Sequence, residues 1–157
     1  MPLQIYQCKM LELMKEQELL MADIYLRLSE LFPEYGDVYR EMLSEEKEHA
    51  GWIDHLNKLC IAEKASFAEG STRTYTISSL IKYLRDFIVQ LETKQMGHLK
   101  CLAYIIDIEQ SLIERNAFQR FTGDSLEVMK VLKILEESQK VHVSKIKEFM
   151  GRLKPAA

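Results

Sequence analysis

Two stretches of the sequence place metal-binding side chains one helical turn apart. Glu46 and His49, in SEEKEHA, are separated by three residues and would project from one face of a helix. Gln139 and His142, in ESQKVH, repeat that interval with an amide in place of the carboxylate. Glu18 and Glu109 add two more carboxylates, each set in an otherwise apolar row. Carboxylate oxygens mixed with imidazole nitrogens suit iron, with manganese or zinc as alternatives, whereas calcium would take oxygen alone. Taken by themselves, Glu46 and His49 sit in a charged run that reads equally well as a solvated helix face.

The elements that must carry these residues decide between the two readings. Only six glycines and three prolines interrupt 157 residues, which suits long helices joined by short turns. Pro33, Gly36 and Asp37 separate a helix over about residues 3 to 32 from one over about 36 to 63, and so tight a connection makes the pair antiparallel. FAEGSTRTYT, residues 67 to 76, is the clearest break. An amphipathic stretch over about 77 to 92 follows, then Gly97, then a helix over about 98 to 121. Gly123 and Asp124 make the next turn, with Asp124 and Glu127 spaced as a capping box for a last helix to about residue 150. The expectation is one all-α domain over 1–157: a four-helix bundle of two antiparallel hairpins, joined by a long crossover that contains a short helix.

Core positions in a bundle recur at alternating steps of three and four residues. The four rows read Leu11, Met14, Glu18, Met21, Tyr25, Leu28, Phe32; Tyr39, Met42, Glu46, His49, Ile53, Leu56, Cys60; His98, Leu102, Ile105, Glu109, Leu112, Asn116; and Val128, Leu132, Leu135, Gln139, His142, Ile146, Phe149, Leu153. Each is apolar on both sides of a polar interruption near its middle. A carboxylate carried into an apolar core costs several kcal/mol unless something compensates it. Four interruptions at comparable heights point to a shared cation, the alternative being a buried polar network left by a lost site. Tyr25 reads either as a hydrogen-bond partner of a ligand near an oxidising centre or as a core tyrosine with a satisfied hydroxyl. His98 stands about 16 Å from Glu109 along a helix, too far to share its ion. Cys60 and Cys101 read as buried small hydrophobes.

Composition excludes several classes. A net charge of -3 with no basic stripe gives no footprint for nucleic acid, and no apolar run approaches the length that spans a bilayer. Three widely spaced cysteines without a C-x-x-C pair, and no signal-peptide pattern at the N-terminus, point to a reducing, cytoplasmic setting.

Glu18 followed seven residues on by Tyr25, SEEKEHA, DIEQSLIERNAF around Glu109, and ESQKVH together resemble the rubrerythrin-like branch of the ferritin-like superfamily over essentially the whole chain. The resemblance implies a ferritin-like bundle and a non-haem di-iron site: Glu18 and Glu109 as terminal carboxylates, Glu46 bridging, His49 and His142 as terminal imidazoles. Gln139 stands where that family carries its second bridging carboxylate, which weakens the second metal position and allows one ion instead of two. Ile106 and Leu112 flank Glu109 where a further carboxylate would support peroxidase chemistry, and no cysteine-rich rubredoxin segment lies within these residues, so an external electron donor is implied. By analogy with such bundles a homodimer is expected. Two functions follow as expectations: redox chemistry with oxygen or peroxide, of ferroxidase or peroxidase type, or a non-catalytic metal-binding or helical interaction protein built on a degenerate site.

Overall fold

The computed structural model describes residues 5–62, 66–67, 74–93, 96–114, 121–122 and 125–153, with side-chain surroundings for all of these except 5–8, 66–67, 74–76, 112–114 and 121–122. Five helices carry the fold: α1 (Ile5–Leu31), α2 (Gly36–Ile61), α3 (Thr74–Thr93), α4 (His98–Glu114) and α5 (Leu126–Leu153). A single 3-10 turn, Pro33–Tyr35, separates α1 from α2. Pro33 supplies the fixed φ that starts this turn. Gly36 is the first residue of α2 with φ -55, an ordinary helical value, so the reversal does not depend on glycine's access to positive φ.

Contacts at both ends of each pair set the helix directions. Lys15 meets Asp54 at 3.2 Å, and the rings of Tyr25 and Tyr39 lie 6.3 Å apart, so α1 and α2 are antiparallel. His55 meets Glu127 at 3.0 Å and Glu41 meets Lys145 at 3.0 Å, so α5 runs antiparallel to α2. Glu109 lies 2.9 Å from His142, and the rings of His98 and Phe149 are 5.9 Å apart, which makes α4 antiparallel to α5 as well. Both α2 and α4 therefore run the same way. The chain between them must travel back along the bundle, and α3 is that return path: Glu16 pairs with Arg85 and Arg27 with Glu92, placing α3 parallel to α1.

The crossover differs from expectation in scale. Its helix has 20 residues, about 30 Å, against 17 for α4, so it is a full-length fifth helix. Length follows from function in the fold: Ile77, Ile81, Leu84, Phe87 and Leu91 recur on one face and cover α1 from Met10 and Leu11 up to Leu28, each fully buried apolar side chain contributing about 1.5–3 kcal/mol. The third bundle helix also differs. It is described to Glu114, and Phe121, expected as its last residue, lies in a short strand, Phe121–Thr122, that pairs antiparallel with Ser66–Phe67. The two strands join the connection leaving α2 to the one entering α5. The last helix runs three residues past its expected end, to Leu153, while Asp124, Asn116 and most of the 67–76 break fall outside the described residues.

Two apolar clusters fill the interior. One, around Tyr25, Leu28, Tyr39, Leu84, Phe87, Cys101, Leu102 and Phe149, occupies the end near the α1–α2 turn. The other, around Leu11, Met14, Ile53, Leu56, Cys60, Val128 and Leu135, occupies the opposite end. The polar residues lie in the gap between them. Among the described residues no helix is long and apolar enough to cross a membrane.

Candidate metal centre

All five ligand candidates converge. Glu18 comes from α1, Glu46 and His49 from α2, Glu109 from α4 and His142 from α5, and none exposes more than 6% of its surface. Their positions follow from the helix rows: Glu18 is flanked by buried Met14 and Met21, and Glu46 and His49 by buried Met42 and Ile53, so each helix that buries its apolar face must bury its polar interruption too.

The ligand atoms form two groups, Glu18–Glu46–His49 and Glu46–Glu109–His142, each with its donor atoms within 4.8 Å of one another. Either group could hold a metal ion. Glu46 belongs to both. Its Oε1 lies 2.8 Å from His142 Nε2 and its Oε2 lies 3.6 Å from His49 Nδ1, so each carboxylate oxygen faces a different imidazole. Beyond His142 and the neighbouring carboxyls of Glu18 and Glu109, no described residue offers these oxygens a hydrogen bond. A buried carboxylate so sparsely partnered bears much of the cost of its desolvation. Burial, with Glu109 and Glu18 close by, pushes its carboxyl well above the ordinary range, so in the absence of a cation Glu46 holds a proton.

The second group is braced from behind. Tyr25 donates its hydroxyl to Glu109 Oε1 at 2.9 Å and lies 3.2 Å from His142 Nε2. His142 Nδ1 lies 2.7 Å from Glu45 Oε2. Against the desolvation that would raise it, hydrogen bonds from His142 and Lys145 hold the Glu45 carboxyl at about 2, so Glu45 is ionised and accepts, and Nδ1 of His142 must carry the proton it donates. This leaves Nε2 pointed at Glu46 and Glu109. Burial would lower the pKa of His142, but Glu109 and Glu45 outweigh it and lift it to about 9. Burial likewise opposes ionisation of Glu109, and the charge of His142 overcomes it, lowering that carboxyl below its usual value. The metal-free site is therefore an imidazolium standing beside one ionised and one protonated carboxyl. A cation could take the place of that proton.

Sequence reasoning passed over Glu45, Lys145 and Glu41. Glu45 looked like a solvated member of SEEKEH, yet Lys145 Nζ reaches it at 2.5 Å and Glu41 at 3.0 Å, tying the back of His142 to the surface. The signal was available in principle: Glu41 and Glu45 are four apart on α2, and Lys145 is three after His142 on α5. Gln139 is half-buried, unlike the five fully buried ligands. Glu136 and Glu137 belong to neither group and pair with Lys140 and Lys133 at 3.3 Å and 3.9 Å. Ile106 packs against the core, and Leu112 lies outside the described side chains. His98 sits at the far end of the bundle against Tyr39 and His55 faces Glu127 near the other, so neither joins the centre. Cys60 and Cys101 are completely buried, while the surroundings of Cys8 lie outside the described side chains.

No family model, curated protein or solved structure matches this chain. What the centre can do is therefore read from its own residues.

Proposed function

We propose that the chain is a rubrerythrin-like, ferritin-like bundle that binds a pair of non-haem iron ions and carries out redox chemistry with oxygen or peroxide. The observation that carries this reading is the sharing of Glu46: one buried carboxylate turns one oxygen to each of two three-residue groups. A carboxylate set between two cations is the arrangement that compensates such burial most directly. Two further observations support the fold assignment, namely that α2 and α4 run the same way and that a long crossover returns between them.

Glu18 and His49 would complete one position, and Glu109 and His142 the other. Bound iron would supply the electrons and open coordination needed to reduce an oxidant. The chain fixes the ligand geometry and excludes bulk water through the two flanking apolar clusters. Glu45 holds His142 with Nε2 inward, and Tyr25 holds Glu109 and keeps a hydroxyl proton at the edge of the site.

A second reading, one metal without turnover, is favoured by the count of carboxylates. Glu18, Glu46 and Glu109 supply three negative charges for the four positive charges of two ferrous ions, and Gln139 adds none. Anaerobic iron titration separates the two. Two ions per chain, followed on oxidation by the absorbance of an oxo-bridged ferric pair, support the first; a single inert ion supports the second. Glu46→Ala is expected to abolish both ions together, weakening each by more than about 100-fold. Retention of either at native affinity would show that Glu46 is not shared.

A further inference from the structure

A file of aromatic side chains leads away from the braced side of the centre. Tyr25, hydrogen-bonded to Glu109, has its ring 6.3 Å from that of Tyr39 at an interplanar angle of 25°, a near-parallel contact. The Tyr39 hydroxyl is hydrogen-bonded to Nε2 of His98. His98 stands on the first turn of α4, half-buried, with the rings of Phe32 and Tyr35 each centred 4.5 Å from its own and that of Tyr35 parallel to it within 5°. Phe149 closes the cage edge-on. Both Tyr25 and Tyr39 are about 1% exposed, whereas His98 reaches solvent beside exposed Gly97 and Leu99.

Packing alone does not account for the polar ends of this file. Each buried phenol hydroxyl meets polar side chains: Tyr25 donates to Glu109 and lies 3.2 Å from His142 Nε2, and Tyr39 meets Nε2 of His98. A neutral phenol that loses an electron becomes a strong acid and must pass on its proton, so a tyrosine becomes a practical electron carrier when a base already holds its hydroxyl. Burial raises the pKa of the Tyr39 phenol and lowers that of His98, which suits a protonated phenol beside a neutral imidazole. Phenylalanine at either tyrosine position would fill the same apolar space without offering any of this.

We infer that Tyr25, Tyr39 and His98 form a proton-coupled electron relay, through which a one-electron donor at the His98 end of the bundle reduces the buried metal centre. The relay rests on the redox reading proposed above. In each passage, Tyr25 gives one electron to the oxidised metal pair, generated by oxygen or peroxide, and its hydroxyl proton moves to Glu109. Tyr39 reduces the Tyr25 phenoxyl, which takes its proton back from Glu109, while the proton of Tyr39 passes to His98 Nε2. The external donor reduces the Tyr39 phenoxyl, and His98 returns the proton. One electron crosses from donor to metal, and the protein keeps its protons.

The test needs no metal. In the purified full-length, metal-free protein, a flash-generated ruthenium(III) tris-bipyridine oxidant draws an electron from the surface, and the resulting tyrosyl radical is followed by transient absorbance and electron paramagnetic resonance. The share of signal lost in Tyr25→Phe identifies the Tyr25 radical, which should collect the hole because the Glu109 carboxylate is beside it. Tyr39→Phe and His98→Gln are each expected to lower its yield at least about tenfold, with unchanged helicity and melting. An equal yield in Tyr39→Phe, or no Tyr25 radical in the native protein, overturns the relay. Should Tyr39→Phe unfold, His98→Gln decides alone. Because iron is absent, a working relay in a chain that binds no iron would sink the metal reading and spare the relay, and the converse result would do the reverse.

Discussion

The Glu18–His49 side and the Glu109–His142 side of the centre share a carboxylate but differ in how they are supported. On the first side His49 Nδ1 stands 3.8 Å from Glu18 and 3.6 Å from Glu46, beyond ordinary hydrogen-bond reach. On the second, His142 Nε2 lies 2.8 Å and 2.9 Å from Glu46 and Glu109, with Tyr25, Glu45, Lys145 and Glu41 arranged behind. By ligand type alone the first side carries the fuller set, since Gln139 stands opposite Glu46 in the pattern of the second. Ligand count and ligand support are thus separate properties, and here they favour opposite sides.

The sharpest way to test this contrast is to remove one imidazole from each side. His142→Ala leaves the ionised Glu109 and Glu45 facing a void and is expected to destabilise the metal-free protein by about 3–5 kcal/mol, the usual loss when one partner of a buried pair is deleted. His49→Ala breaks no comparable contact and should cost far less. Denaturant melts of both variants decide the matter, and equal losses would show that the bracing has no energetic consequence.

The acid–base behaviour of His142 supplies the next test. Its pKa is raised from 6.5 to about 9, so its contribution to stability is fully present below pH 6.5 and is lost as pH rises through 9, on the order of 3 kcal/mol in all. Glu46, also raised, acts in the same direction above the ordinary carboxylate range. Thermal melts of metal-free protein should fall across that window. Metal occupying Nε2 should flatten the curve and, near neutrality, release protons on binding. A metal-free melting temperature that does not change between pH 6.5 and 9 would refute the protonated pair.

Smaller effects should confine themselves to one side. Glu45→Gln keeps the shape of the residue and removes the charge behind His142, which is expected to weaken one ion about 10–100-fold while the other binds as before. Equal weakening of both in calorimetric titration would mean that Glu45 steadies the bundle as a whole. Gln139→Glu should act in the opposite sense and modestly, tightening the second ion by adding the missing negative charge. Unchanged stoichiometry and affinity would remove residue 139 from the ligand set, in keeping with its partial exposure.

What could be read from the sequence was whatever repeats with helical period. The rows containing Glu18, Glu46, His49, Glu109 and His142 were visible because each is a polar residue among apolar ones, and all five are buried together. Tyr25 lay on such a row with its role open between ligand partner and core residue, and its bond to Glu109 supports the first. Glu45 was hidden because it sits off the row, one residue from a ligand, and its role depends on a lysine a hundred positions away. Tyr39 and His98 stood on rows, but nothing local indicates that a residue of α2 and one of α4 meet. The extent of α3 was underestimated for a related reason: its amphipathic face is plain, but the full length of α1 that it covers is a property of the tertiary structure.

The pairing of Ser66–Phe67 with Phe121–Thr122 bears on how the centre exchanges its contents. It ties the two ends of the segment that holds α3 and α4, so this segment is a closed loop laid against the other three helices. Of the five ligands that loop carries Glu109 alone, while Glu18, Glu46, His49 and His142 belong to α1, α2 and α5. A partial opening confined to the loop would withdraw one ligand and leave four assembled, with the strand pair holding the way back. Because α3 and α4 together also supply apolar side chains to both clusters, such an opening exposes core and should be rare, so metal exchange is expected to be slow.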